Sequence, residues 1–568
     1  MEVAVNEYEK LSVERKALQK LGEVPKWMTT GGYQMFKNKY QWEGLSVNDT
    51  FLRIAEAASK HMPRGSEDYW SKEFYKVLNK GWLGASTPVL ANMGTTRGMP
   101  VSCSGQVVDD SIDSFYASAH ELAMLTKHGF GTSSYLGDIR PRGSYISVGG
   151  KSSGVLPVIK SYVQIMRDVA QGTARRGAWA GYLPIDHGDF YEVVNYLERN
   201  FDDLNLGWVV TDAFLNRCRD GDEDARKRLA RAMKVRAATG KGYLLCIDKV
   251  NRARPQMYKD HNLLVKASNL CMEIYLVSDL EHSFTCVLAS MNLAMYDEWK
   301  DTNAVQVSTV FLDCVAEEFI QRAKGVKGFE KTVRFTEKSR ALGLGVMGLH
   351  TLMQQRMIPF ESFEAHMLNH EVFDHLQKET LLASQWMAKA LGEPEWCKGY
   401  GVRNSHRTAV APTTTNALIC GGVSQGIEPV VANLYNQQTS AGLLYRVNPV
   451  FLALAKERGK FTDELIEDLA MNTDGSVQHL DWLSEHEKEV FKTAYEIDQH
   501  SIIRLASARA PKICQGQSLN VFFDADEDEE YIMEVHQAAL EDENILGLYY
   551  MRTQAGVQAS KGECKACE

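Results

Sequence analysis

The sequence predicts an α/β fold, and three observations carry that expectation. Residues 1 to about 85 show apolar positions at helical spacing with little strand signal. From Ala85 onward, short apolar segments alternate with helical patterns over several hundred residues. Of the 568 residues, 44% are hydrophobic and 24% charged, which suffices for a large packed core and excludes a globally disordered chain. Alternation on this scale fits an α/β barrel or a large doubly wound sheet.

LSVERKALQKLG and NDTFLRIAEAASKHM read as amphipathic helices near the N-terminus. GYLLCID and QSLNVFF read as strands, and VFLDCVAEEFIQRAKG as a helix between them. DARKRLARAMKVRAA reads as a helix with a solvated basic face. DADEDEEYIMEVHQAAL reads as a helix whose acids sit at its N-terminus, where the helix dipole favours them. Beyond Tyr549 and Tyr550, RTQAGVQASKGECKACE is small, polar and aperiodic, the pattern of a flexible tail. The expected organisation is a helical region over 1–85, a main α/β domain over 86–553 and a tail over 554–568.

The net charge of -10 argues against a nucleic-acid binder, which needs clustered Lys and Arg. The charged start lacks the apolar stretch of a signal peptide, and no apolar run reaches transmembrane length. The expectation is a cytoplasmic protein that binds no membrane, with its eleven cysteines mostly reduced.

Three motifs are set aside. Gly343, Gly345 and Gly348 fit GxGxxG, but the preceding RFTEKSRAL is too charged for a buried strand, so close backbone packing explains the glycines better than a dinucleotide site. His366 and His370 stand four apart in HMLNH, without the glutamate of a zinc protease motif. No motif in the chain suggests a metal site. Cys564 and Cys567 form CxxC in the tail; with no second pair nearby, a redox dithiol is favoured over a metal half-site.

Four features converge. SNLCMEI places Asn269, Cys271 and Glu273 at alternate positions; in an extended segment they face one side, presenting an amide, a thiol and a general base. Cys103 in VSCSG and Cys286 in FTCVLAS occupy small, polar settings, and as a pair they could exchange with the tail dithiol. Pro412, Thr413, Thr414 and Thr415 precede an apolar segment, the pattern of a helix N-terminus able to hold an anion. Tyr549 and Tyr550 are adjacent on an expected strand, and tyrosines can be oxidised stepwise to pass a radical.

Taken in order, ASTPVLANMG, VSCSG, SNLCMEI, RALGLGVMG, RNSHRTAVAPTTTN, GIEP and LYYMRTQ resemble the large catalytic subunit of class I ribonucleotide reductases, from about Thr87 to the end. The resemblance implies a ten-stranded α/β barrel with a central finger loop, preceded by the small helical region. It implies that Cys271, at the tip of the finger, becomes a transient thiyl radical and abstracts the ribose 3′ hydrogen. Glu273 would take the 3′-hydroxyl proton and Asn269 would bind the sugar hydroxyls. Cys103 would protonate the departing 2′-hydroxyl, and Cys103 with Cys286 would supply two electrons. Cys564 and Cys567 would regenerate that pair and hand the oxidation to a thioredoxin- or glutaredoxin-like protein. Tyr549 and Tyr550 would relay the radical from a small subunit with a dimetal site, no cofactor being bound in this chain. Thr87, Ser102 and Pro412 to Thr415 would hold the ribonucleotide's phosphates. Asp110, Ser111 and Arg140 would bind a nucleoside triphosphate effector at a homodimer interface, and Gln171, Arg175 and Arg176 would link effector to substrate.

The chain departs from larger family members. Only about a hundred residues precede Cys103, too few for the N-terminal ATP-cone, so dATP shut-off through that domain is not expected. CVLASMNL around Cys286 departs from a more glycine-containing form. The closely spaced tail CxxC could shift its redox potential. Alternatives are an adenosylcobalamin-dependent class II reductase, a glycyl-radical enzyme, a non-catalytic nucleotide-binding subunit and a simple thiol–disulfide oxidoreductase. The tyrosine pair argues against class II, the lack of a glycine motif in the tail against the second, and the full cysteine set against the third. Asn269, Glu273 and the phosphate site argue against the last.

Overall fold

Helices form first along the chain because their apolar residues repeat at three and four. In Val47–Ser59, Phe51, Ile54, Ala55 and Ala58 turn one face inward, and Ser46 caps the N-terminus by accepting from Asp49 N. This helix packs on Glu67–Asn79, which buries Phe74, Val77 and Leu78. The computed structural model describes residues 2–169, 177–439 and 442–553. No described helix is long and apolar enough to cross a membrane.

The sheet begins with β1 (Leu83–Ala85). Five strands then run parallel and adjacent in chain order: β2 (Cys103–Val107), β3 (Gly131–Tyr135), β4 (Trp179–Pro184), β5 (Asn205–Val210) and β6 (Tyr243–Cys246). Helices Ile112–Lys127, Leu156–Asp168, Phe190–Arg199 and Glu223–Thr239 lie in the crossovers. The last is the basic helix, and its Lys227, Arg228 and Arg231 pair with Glu223, Asp224 and Glu198, which bears out a solvated face. β7 (Phe284–Cys286) joins β2 antiparallel and runs through Val287 into β8 (Leu288–Asn292). β8 lies between β1 and β9 (Gly343–Met347), so this one chain segment ties the seven-stranded sheet to a three-stranded one. Bridges Leu344–Thr408 and Val410–Gln517 carry the pairing on.

The GxGxxG segment is itself a strand. A Cβ on Gly345 would sit 2.3 Å from the Ala409 carbonyl, so close backbone approach explains the glycine. QSLNVFF forms a strand only at Val521–Phe523. Its first residues spend their polar groups elsewhere: Gln517 Oε1 accepts from Arg509 at 2.6 Å, and Asn520 Nδ2 donates to Glu428 Oε1 at 2.6 Å.

Between helix Gln256–Asp260 and β7 the chain holds no helix or strand, yet residues 267–278 are all buried. Buried irregular backbone needs partners other than a ladder. Asn251 bonds both N–H and C=O of Val265 at 2.9 Å, Ser278 Oγ donates to the Gly105 carbonyl at 2.7 Å, and Gly516 N donates to the Glu273 carbonyl at 2.9 Å. This segment is a finger pinned inside the sheet.

Candidate active site

At the tip of the finger the chain turns through Asn269, Leu270, Cys271 and Met272, with Met272 at φ +66°. The expected extended segment is therefore a turn. No neighbouring strand pairs with it, and the three polar groups share a cavity because the backbone reverses. Asn269 shapes this turn: its Oδ1 accepts from Glu273 N at 3.1 Å and Ile274 N at 3.2 Å. Its Nδ2 is left to donate to Cys103 Sγ at 3.5 Å. The Ser518 hydroxyl lies 2.6 Å from the Cys271 carbonyl and 3.2 Å from Glu273 Oε2, so its one proton can serve either.

An open cleft receives these groups. Asn269, Cys271 and Glu273 line it together with Cys103, Ser102, Thr87 and Pro412 to Thr415. Cys286 stands directly opposite Cys103 in the β2–β7 register. Burial, with the neighbouring Cys103, Glu273 and Cys271, pushes the Cys286 thiol well above its ordinary pKa. Cys286 is thus held protonated, and directly opposed strand residues are near the spacing that a disulfide needs. The described cysteines are all free thiols.

Two short helices start at the cavity wall. Thr87–Asn92 begins with Thr87 and Pro88, and Tyr40 and Thr87 share a hydroxyl–hydroxyl bond of 3.2 Å. Thr414–Ile419 begins after Thr413, which sits at φ +58° and does not cap the helix with its side chain. Thr413 Oγ1 instead accepts from Gly426 N at 2.8 Å, fastening the turn. Free N–H groups at these helix starts, with threonine hydroxyls, suit an anionic group.

Behind Cys271 lies an aromatic cluster. Tyr549 is fully buried, and its ring centroid is 4.0 Å from that of Tyr550. Both lie in the link between strands Gly547–Leu548 and Met551–Thr553 rather than on a strand. Tyr243, which sequence reasoning missed, packs 4.8 Å from Tyr549 and 5.4 Å from Tyr550, with its hydroxyl 3.3 Å from that of Tyr550. Cys271, Met272, Tyr243 and Tyr549 belong to one buried cluster with Tyr182 and Tyr275. Tyr243 was legible only as part of a strand; what brings it to the pair is the antiparallel contact of Gly547–Leu548 with β6.

Asp110 and Arg140 form an ion pair away from the cavity, and Arg140 Nη1 donates to the Tyr145 carbonyl at 2.7 Å. Ser111 caps Ile112–Lys127 by accepting from Ser114 N. Gln171, Arg175, Arg176, Cys564 and Cys567 lie outside the described residues. His366 and His370 share helix Phe363–Leu391 with Nε2 atoms 3.1 Å apart, a mutual hydrogen bond. Among the described residues, no group of three or more His, Cys, Asp and Glu is placed to hold a metal.

The family model of the ribonucleotide reductase barrel domain matches residues 101–226, 222–399 and 393–551, and that of the all-alpha domain matches 27–98. The chain belongs to the ribonucleotide reductase large-subunit family. A protein of Frog virus 3 (isolate Goorha) is 34% identical over 559 residues, covering 92% of this chain and 96% of the relative. The ribonucleoside-diphosphate reductase large subunit of Invertebrate iridescent virus 3 is 28% identical, with 92% and 93% covered. Among solved structures, the Actinobacillus ureae class Id ribonucleotide reductase alpha subunit is 37% identical and superposes with a TM-score of 0.86 over 93% of this chain and 98% of that one. The finger of this reductase accordingly lies within a barrel domain, and helices Val47–Ser59 and Glu67–Asn79 fall in the all-alpha match.

Proposed function

We propose that this chain is the catalytic large subunit of a class I ribonucleoside-diphosphate reductase. The observation that carries the reading is the convergence on Cys271. The thiol faces a cavity with Asn269, Glu273 and Cys103, and its other side meets the buried cluster of Tyr549 and Tyr550. One thiol therefore borders both an open cleft lined by polar groups and a buried aromatic cluster.

A small subunit with a dimetal site supplies the oxidising equivalent in this reading. Tyr550 and then Tyr549 pass it on, each losing an electron and a proton, until Tyr549 takes a hydrogen atom from Cys271. The Cys271 thiyl abstracts the 3′ hydrogen of the ribose. Glu273 accepts the 3′-hydroxyl proton while Cys103 gives its proton to the 2′-hydroxyl, which leaves as water. Cys103 and Cys286 supply two electrons and close to a disulfide, and Cys271 returns its hydrogen to the 3′ carbon. The sum is ribonucleotide plus dithiol giving deoxyribonucleotide, disulfide and water. The high pKa of Cys286 keeps a proton available at the second thiol. Burial of the tip shields the radical from water.

Thr87, Ser102 and Pro412 to Thr415 bind the diphosphate, and Asp110, Ser111 and Arg140, in a homodimer, bind a nucleoside triphosphate effector. Gln171, Arg175 and Arg176 couple effector to substrate. Cys564 and Cys567 re-reduce Cys103–Cys286 and in turn accept electrons from a thioredoxin- or glutaredoxin-like protein. The test is dCDP formation from CDP with ATP, dithiothreitol and a metal-loaded small subunit, beside reactions with adenosylcobalamin replacing that subunit. Product that requires the small subunit supports class I. Product with adenosylcobalamin alone moves the protein to class II.

A further inference from the structure

The finger tip holds a strained turn, and something must hold it there. A methionine at φ +66° lies in the left-handed region that costs a non-glycine residue about 1–2 kcal/mol. Tyr182, on β4, reaches that turn from the sheet. Its hydroxyl donates to the Asn269 carbonyl at 2.5 Å and approaches Met272 Sδ at 3.1 Å, so it touches the residues on both sides of Leu270 and Cys271. Both Tyr182 and Met272 are fully buried. The sheet makes room for this: Gly207, paired with Tyr182 across β4 and β5, has no Cβ, and one placed there would lie 2.3 Å from the tyrosine ring. Gly547 does the same for Met272, whose methyl would lie 2.6 Å from a Cβ at that position. Two glycines on two strands thus seat one tyrosine and one methionine against each other.

We propose that Tyr182 is a positioning residue for the reductase: its hydroxyl clamps the turn and thereby aims Cys271 and the Asn269 side chain into the cavity. Tyr182 does not line the cavity and touches no substrate there. It acts through Asn269, whose carbonyl it holds while the side chain of the same residue organises Glu273 and Ile274.

The clamp also separates Tyr182 from the other tyrosines near Cys271. The Tyr243 and Tyr550 hydroxyls face each other, so a proton on one has a hydroxyl to move to. The Tyr182 hydroxyl instead donates to an amide carbonyl, with the Met272 thioether and the Ser268 hydroxyl beside it. Burial pushes both the Tyr182 and the Tyr243 phenols well above their ordinary pKa.

The catalytic part of this inference rests on the proposed function; the clamp itself does not. Its first test therefore needs no small subunit: the rate at which iodoacetamide alkylates Cys271, followed by peptide mass, in wild type, Tyr182→Phe and Met272→Leu. Removing the hydroxyl frees the turn, so Tyr182→Phe is expected to raise the rate at least roughly fivefold, whereas Met272→Leu, which keeps the bond to Asn269, stays within about twofold. An unchanged rate in Tyr182→Phe overturns the clamp. In the active holoenzyme, Tyr182→Phe is expected to lose about tenfold in kcat while the KM for CDP and its equilibrium affinity, set at the phosphate site, stay within about twofold. An equal loss of affinity, or a kcat within twofold of wild type, overturns the positioning role. Absence of product from wild type sinks the functional reading and leaves the alkylation result standing.

Discussion

The finger tip and the Asp110–Arg140 region are built in opposite ways. At the tip, buried polar groups bond to distant parts of the chain: Ser518 to Cys271, Gly516 to Glu273, Tyr182 to Asn269. At the second site the ion pair is partly exposed, and Tyr145 and Val148 beside it are 82% and 89% exposed. Buried bonds in a low dielectric fix geometry strongly, whereas exposed ion pairs contribute little and exchange readily. The first construction suits a group that must be aimed to a fraction of an ångström. The second suits a surface that waits for a ligand.

The sharpest way to break this comparison is to remove a buried thiol. Cys286→Ser is expected to reduce multiple-turnover dCDP formation to below roughly a thousandth of wild type, because Cys286 is the thiol opposite Cys103 in the β2–β7 register. Retained turnover would show that another thiol serves.

Acid should break the buried side next. Burial holds His350, His406 and His536 to about 3, against an ordinary value near 6.5. Their folded pKa lies below the unfolded one, so stability is fully present above about pH 6.5 and is lost as pH falls toward 3. By pH 5.5 each costs about 1.4 kcal/mol, together about 4 kcal/mol, a decline that chemical denaturation at several pH values would measure. Flat stability between pH 7 and 5.5 would contradict the burial of these rings.

Ser518→Ala removes the bond that the Ser518 hydroxyl makes to the Cys271 carbonyl at the tip. A loss of about 1–3 kcal/mol is expected, read as a roughly ten- to hundredfold fall in kcat/KM. Arg140→Ala should change the least: thermal stability within about 1 kcal/mol of wild type, with a weakened response to nucleoside triphosphate. A large stability loss there would make Arg140 a structural residue.

The same contrast explains what the sequence disclosed. Helices such as Val47–Ser59 and Ala304–Ala323 were legible because a local period determines them. The residues of the tip were legible from SNLCMEI through its resemblance to the family, but their conformation was not. A period of two suggested an extended face, while the turn at Met272 depends on partners from distant segments, Tyr182 and Ser518 among them. The Cys103–Cys286 register was likewise invisible, since it arises from antiparallel closure of β7 on β2 after the whole parallel run is laid down. Tyr182, Tyr243 and Ser518 carried no local signal; each looks like an ordinary strand or loop residue until the finger enters the sheet.

The central claim is that Cys271 receives its oxidising equivalent through the buried tyrosines. The most direct measurement is dCDP formation by Tyr549→Phe with the small subunit, beside its affinity for CDP. This change removes one hydroxyl from a fully buried ring whose centroid is 4.0 Å from that of Tyr550. The expected result is no product above background with CDP binding intact. Activity within a few-fold of wild type would contradict the relay and require another route to Cys271.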